Sequence, residues 1–180
     1  MTLREKLKAD IAHSTNAINS KSVIKLFFAK KSIRIVVLFR ILNHYYFKKN
    51  KVAMLLLSPV ALYYRLMTNK YCVDLSYKTN IGPGLKMNHC YCTIVNIRAT
   101  IGEHVYIAHN VTIGSNTPAK VPTIGNNVTI FPGSIIIGDV TIGDNVVIGA
   151  GSLVVKDIPA NTIVGGHTNR VLKHINSELT

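Results

Sequence analysis

From about Leu75 onward, apolar residues recur every six positions, and this period constrains the fold of the 180-residue chain more than any other feature. Ile124, Ile130, Ile136, Ile142, Ile148 and Val154 follow one another without a gap, preceded by Leu75, Ile81, Met87 and Thr93 and by Ile101, Ile107 and Ile113. Four positions after most of these stands a compact residue, as at Val105, Val111, Val128, Ser134, Val140, Val146 and Ser152. Gly, Asn and Asp fill many places between, as in Ile142-Gly143-Asp144-Asn145, and these residues enter left-handed backbone conformations at low cost. A unit of this kind makes a short strand and a corner. Three units close one triangular coil, and coils stack at the strand spacing of about 4.8 Å with the aliphatics pointing inward as ladders. An ordinary β-sandwich fits poorly, because its strands do not hold a fixed period over such a length.

Two interruptions of the period stand out. Two extra residues fall between Thr93 and Ile101, and five between Ile113 and Ile124, in a stretch containing Ser115, Asn116, Thr117, Pro118, Lys120 and Pro122. Loops at coil corners are where an enzyme of this shape would place its specificity.

Residues 2 to about 70 read as helices instead. Thr2 followed by Glu5 matches a capping box, and Ser22 and Ser32 are expected as later N-caps. From Ile33 to Phe47 apolar residues cover most of the helix circumference, interrupted chiefly by Arg34, Arg40 and Asn43, so this helix should be enclosed by partners. Pro59 should kink or divide the segment that follows. The chain therefore divides into an N-terminal helical region, residues 1–72, and a β-helical domain with a C-terminal tail, residues 73–180, whose coil ends near residue 165.

The formal charge of +13 is unevenly spread: residues 1–72 hold 14 Lys and Arg against two acids, and residues 73–180 hold seven against six. Basicity interleaved with apolar side chains suits an anionic membrane surface or an acidic glycan at least as well as nucleic acid. Solvated helix faces would account for it equally. No nucleic-acid partner is expected. The longest uncharged run, Val52 to Tyr64, contains Pro59 and falls short of the roughly 20 residues a helix needs to span a bilayer. Met1 to Asp10 lacks the apolar core of a signal peptide. Cys72, Cys90 and Cys92 are odd in number and lack a closing zinc pattern, so they read as free thiols of a reducing cytosol. The expectation is a cytoplasmic protein, with peripheral contact at the inner face of the membrane through residues 1–72 left open.

Several short motifs together point to a family: Val73-Asp74, Ile81-Gly82-Pro83-Gly84, Asn88-His89, Val111-Thr112-Ile113-Gly114, Pro122-Thr123-Ile124-Gly125 and Ile148-Gly149-Ala150-Gly151-Ser152. The stretch from about Val73 to Val171 resembles the serine acetyltransferase branch of the hexapeptide-repeat acyltransferases. Within that branch it looks most like the exopolysaccharide and colanic-acid O-acetyltransferases, whose short basic, apolar N-terminal region is similar to residues 30–72. The resemblance implies a mainly β fold, a left-handed parallel β-helix with an N-terminal α-helical region, against the usual right-handed crossover rule. It also implies a homotrimer with active sites between subunits, where His89 of one subunit faces the 116–121 loop of the next.

By the same resemblance His89 is the catalytic base, and Asp74, 15 positions earlier, its partner. The chemistry requires such a pair. A sugar or serine hydroxyl is a poor nucleophile, and a neutral imidazole can take its proton during attack on a thioester carbonyl. A carboxylate on the far ring nitrogen would fix the tautomer. Acetyl-CoA is the implied cosubstrate, with no metal, and its pantetheine arm would lie along the coil edge at Pro132, Gly133 and Ala150. Pro132 replaces the Ala usual in the family and removes a backbone donor. Lys156, Arg170 and Lys173 are candidates for the CoA phosphates.

Two departures concern the acceptor. The acidic residue that serine acetyltransferases carry eight positions after the base is Ile97 here, and the His of their long corner loop falls on Val121, so a sugar hydroxyl is favoured over L-serine. Counting coils places His109 one coil above His89, roughly 5 Å away, which makes it a candidate acceptor contact, with Asn88 beside His89 another. Two rival readings remain. His104 and His109, five apart, with His89 nearby, would suit a γ-carbonic-anhydrase-like zinc site, although their offsets from the ladder residues differ. A non-catalytic scaffold would not need Asp74 and His89 together.

Overall fold

The computed structural model describes residues 1–14, 20–117, 120–166 and 170–174, with side chains described from Ile24 onward in the second helix and up to Gly166 at the other end. The six-residue period does build a coil. The first turn comprises β1 (Asp74–Leu75), β2 (Asn80–Ile81) and β3 (Lys86–Met87), and the second β4 (Ile94–Val95), β5 (Thr100–Ile101) and β6 (Tyr106–Ile107). The third holds β7 (Thr112–Gly114), β8 (Thr123–Ile124) and β9 (Thr129–Ile130), and the fourth β10 (Ile135–Ile137), β11 (Thr141–Ile142) and β12 (Val147–Ile148). A last turn is traced by β13 (Leu153–Val154), the bridge between Ile142 and Ile158, and β14 (Thr162–Gly165), against which β15 (Arg170–His174) returns antiparallel. Each strand pairs in parallel with the one a full turn away, giving three flat faces and a left-handed parallel β-helix.

The ladders are buried as the period requires: Ile101, Ile107, Ile113, Ile124, Ile130, Ile136, Ile142 and Ile148 are all at most 2% exposed. One expectation is corrected. Register pairs Leu75 with Val95 and Val95 with Ile113, so Val95 is the ladder residue, and the two extra residues lie in the corner between β3 and β4. Thr93 takes the compact corner position that Val73, Val111, Ser134 and Ser152 take in the other turns. It is fully buried, with its hydroxyl bonded to Tyr91 O and Ala108 O at 3.3 Å. The five-residue insertion stands where expected, between β7 and β8, closed by the Thr117–Lys120 bridge.

Five helices precede the coil: α1 (Leu3–Ser14), α2 (Ser20–Ala29), α3 (Lys31–Phe47), α4 (Lys51–Leu56) and α5 (Ser58–Lys70). The capping box forms, with Thr2 N bonded to Glu5 Oε2 at 2.9 Å and Glu5 N to Thr2 Oγ1 at 3.3 Å. Ser22 and Ser32 are not N-caps. α2 begins two residues before Ser22, and the single extended residue Lys30 caps α3 without a side-chain bond, leaving Ser32 in the first turn. Pro59 sits in the first turn of α5, where its missing N–H costs nothing, and so divides the segment into α4 and α5.

α3 is enclosed, and two of its polar interruptions, Arg40 and Asn43, prove to be anchors. The first turn of a solenoid leaves a row of strand carbonyls and amides without a coil below, an edge that must be covered. Arg40 of α3 donates to Ile81 O at 2.8 Å and Gly82 O at 2.6 Å, and Asn43 donates to Tyr77 O and Thr79 O, both at 2.9 Å. Tyr64 of α5 donates to Leu75 O at 2.7 Å. Asp10 of α1 accepts from Gly84 N at 2.7 Å and Leu85 N at 2.8 Å while holding Arg40 at 2.6 and 3.0 Å. Asp10 and Arg40 are both fully buried. The helices thus cap the coil, and they leave the corner joining β3 to β4 at the rim of that cap.

Candidate active site

The corner that joins the third face to the first repeats one geometry in every turn. Backbone bonds run Cys92 N to Tyr71 O, Asn110 N to Tyr91 O, Gly133 N to His109 O and Gly151 N to Pro132 O, at 3.2, 2.8, 3.3 and 2.9 Å. These bonds stack Tyr71, Tyr91, His109, Pro132 and Ala150 in one column. The next residue of each turn is left-handed: Cys72, Cys92, Asn110, Gly133 and Gly151 have φ of 53, 49, 56, 73 and 66°.

His89 lies on the insertion within this column. Its own backbone is left-handed, φ 58°, and it is exposed, because the two extra residues push the chain outward between Met87 and Ile94. Asn88 continues the strand through its N–H to Ile107 O at 3.2 Å, and its side chain is exposed beside His89. One turn up, His109 meets His89 edge to face, with ring centroids 5.8 Å apart and planes at 88°. His109 is half-buried, and its Nδ1 has no hydrogen-bond partner among the described residues. A buried ring nitrogen in that state is costly and is normally paired.

Asp74 opens β1 at the same corner, its N–H bonded to Thr93 O at 2.8 Å. Its carboxylate is exposed and borders a cleft of about 770 Å³ between α5 and the first face, lined also by Leu62, Arg65, Cys72 and Ile94. Among the described residues no hydrogen bond joins Asp74 to His89.

Three further residues frame the site, and sequence reasoning missed them. Lys31, at the start of α3, holds its Nζ 3.0 Å from the centroid of Tyr91 and 5.0 Å from that of Tyr71. Tyr71 and Tyr91 themselves meet edge to face at 5.6 Å. The available signal was the Tyr-Cys pair repeated at 71–72 and 91–92, one turn plus the insertion apart. Cys90, between His89 and Tyr91, points inward. Burial pushes its thiol up to about 12, against the opposing pull of Lys31.

The cofactor candidates divide. Pro132 and Ala150 lie on the His109 column with Gly133 beside it, and a Cβ built on Gly151 would meet nothing within 4 Å, so the edge above His109 is open to an extended ligand. Lys156 is exposed after β13. Arg170 and Lys173 belong to β15, where side chains lie outside the described residues. His104 is not part of this group: it sits at a different corner, its N–H on Pro83 O and its ring 5.7 Å from His13. Ile97 and Val121 occupy the positions noted above, Ile97 exposed and Val121 half-buried.

The coil that carries this corner matches a known family: residues 122–156 fit the bacterial transferase hexapeptide family of six repeats. Over 127 residues the chain is 35% identical to a protein of Escherichia coli strain K12 named as the colanic acid biosynthesis acetyltransferase WcaB, covering 69% of this chain and 78% of that one. It is 36% identical over 109 residues to the chloroplastic serine acetyltransferase 1 of Arabidopsis thaliana, covering 59% of this chain and 35% of that protein. Soybean serine acetyltransferase complexed with serine superposes with a TM-score of 0.75 at 27% identity, covering 94% of this chain and 69% of that structure. This chain belongs to the hexapeptide-repeat acetyltransferases.

Among the described residues no helix is long and apolar enough to cross a membrane.

Proposed function

We propose that the chain transfers an acetyl group from acetyl-CoA to a hydroxyl of a sugar in polysaccharide biosynthesis, by direct transfer with His89 as general base. The observation that carries this reading is the placement of His89: exposed, left-handed, and set against His109 on the edge that continues to Pro132 and Ala150. The acyl carbon of a thioester laid along that edge would come within reach of a hydroxyl held at His89. The neutral ring takes the hydroxyl proton as the oxygen bonds to the carbonyl carbon, and the resulting imidazolium returns it to the departing thiolate. Asp74 would orient the ring as the two approach, and His109 and Asn88 would contact the acceptor. Cys90 is buried and its thiol raised, so it is poorly suited to carry an acyl group.

The sugar acceptor is supported by the likeness to the colanic-acid protein and by Ile97 and Val121, which offer an amino acid neither a carboxylate nor an imidazole. The likeness to serine acetyltransferases supports a second reading, serine O-acetylation. Assembly as a homotrimer, with the 116–121 loop of a neighbour closing the site, is supported by membership in the family; residues 118–119 of that loop lie outside the described residues. The test is release of CoA thiol from acetyl-CoA in the presence of free sugars, nucleotide sugars, lipid-linked sugars and L-serine. The account expects turnover with a sugar class and loss of that turnover in His89→Ala. Fastest turnover with L-serine would replace it with the second reading.

A further inference from the structure

Helix α4 buries none of its residues. Val52, Leu55 and Leu56 are 70%, 73% and 75% exposed, and Phe47 before them and Leu62 and Leu66 after them are open as well. Large aliphatics are not scattered so densely on ordinary solvated faces. Cations alternate with them: Lys48, Lys49, Lys51 and Arg65 are exposed on the same stretch. Between Asp10 and Asp74 the chain carries 11 Lys and Arg and not one Asp or Glu. At the turn from α3 to α4 a groove of about 470 Å³ is lined by the apolar or aromatic Tyr46, Phe47 and Met54 together with the polar Lys49, Asn50 and Lys51.

We propose that the 47–66 face docks on an anionic lipid surface, with Leu55 and Leu56 entering the acyl boundary and Lys48, Lys49 and Lys51 meeting headgroup phosphates. The pairing in the groove is what a phospholipid offers, a phosphate beside an acyl chain. A second copy meeting this face two-fold is the poorer occupant, because it would set these lysines against themselves with no acid in the segment to answer them. The inference is independent of which hydroxyl is acetylated. It does have a consequence for the site, because Leu62 and Arg65 of the docked stretch also line the cleft at Asp74, so an acceptor carried in the membrane would arrive at that cleft.

The test is co-sedimentation of the full chain with vesicles of phosphatidylcholine alone and with about one-third phosphatidylglycerol. Binding is expected to the anionic vesicles only, weakening at least about tenfold between roughly 0.05 and 0.5 M salt. The double variant Leu55→Asp/Leu56→Asp, at sites too exposed to disturb folding, should bind at least about tenfold more weakly, as should Lys48→Glu/Lys49→Glu/Lys51→Glu. Arg98→Glu, on the coil, should bind like the parent, and all variants should turn over a water-soluble acceptor at the parental rate. Equal binding to neutral vesicles, or none to either, would overturn the proposal. So would a leucine variant whose main effect is a change of subunit number in sedimentation.

Discussion

His89 and His109 stand twenty positions apart, three hexads plus the two-residue insertion, and each follows by two positions a member of the paired Met87 and Ile107, which sets their rings edge to face at 5.8 Å. The insertion then carries the first-turn corner off the path of the corners above, where His89 is exposed. The lower ring is exposed and the upper half-buried, so in the proposed site the two imidazoles would meet different parts of a substrate.

His109→Ala should therefore weaken catalysis without unfolding the coil. Loss of one neutral hydrogen bond to a substrate corresponds to roughly 0.5–1.5 kcal/mol, or about a 2- to 13-fold fall in kcat/KM. Steady-state kinetics at varied acceptor, with a melting curve beside them, checks this. An unchanged kcat/KM with either substrate would remove His109 from the site.

The three cysteines should separate by reactivity. Cys72 and Cys92 are exposed at left-handed corner positions, while Cys90 is fully buried with its thiol raised to about 12 by burial. A thiol reagent at pH 8 should titrate two groups in the native protein and the third only after denaturation. Since the Cys90 thiol stays protonated up to about that raised value, increasing the pH from 7 to 9 should leave the third group silent in the native protein.

The cap on the first turn makes a stability prediction. Asp10→Ala leaves the Arg40 charge buried without its carboxylate and strips the amides of Gly84 and Leu85 of their acceptor. Breaking a buried pair of this kind costs about 3–5 kcal/mol. Chemical denaturation of Asp10→Ala and Arg40→Met, singly and together, should show the double variant less destabilised than the sum of the two.

Ladder residues give a plainer case. Ile113→Ala, in the third turn, removes a fully buried side chain between Val95 and Ile136 and should cost about 2–5 kcal/mol, read from the same denaturation curves.

The coil was legible because its signal is repeated: any one of the ladder residues is ambiguous, but six isoleucines and valines at a fixed period are not. The location of the insertion was not legible, because Thr93 is buried and six places from Met87, so it satisfies the count; only backbone pairing shows Val95 to be its successor in the ladder. Arg40 and Asn43 looked like flaws in an apolar helix because their partners, Ile81 O and Tyr77 O, lie 41 and 34 positions downstream. Asp10 carried no signal at all for the same reason, its amides being 74 and 75 positions away. His89 and His109 could be paired in advance because coil counting is local arithmetic, whereas Lys31 reaches Tyr91 only through helix docking that no period encodes.

The most direct measurement compares the parent and His89→Ala for the rate of CoA thiol release from acetyl-CoA with a saturating hydroxyl acceptor. If the ring of His89 takes the acceptor proton, the variant should lose about 10²- to 10⁴-fold in kcat while keeping its melting temperature. A variant that turns over at the parental rate would contradict the account.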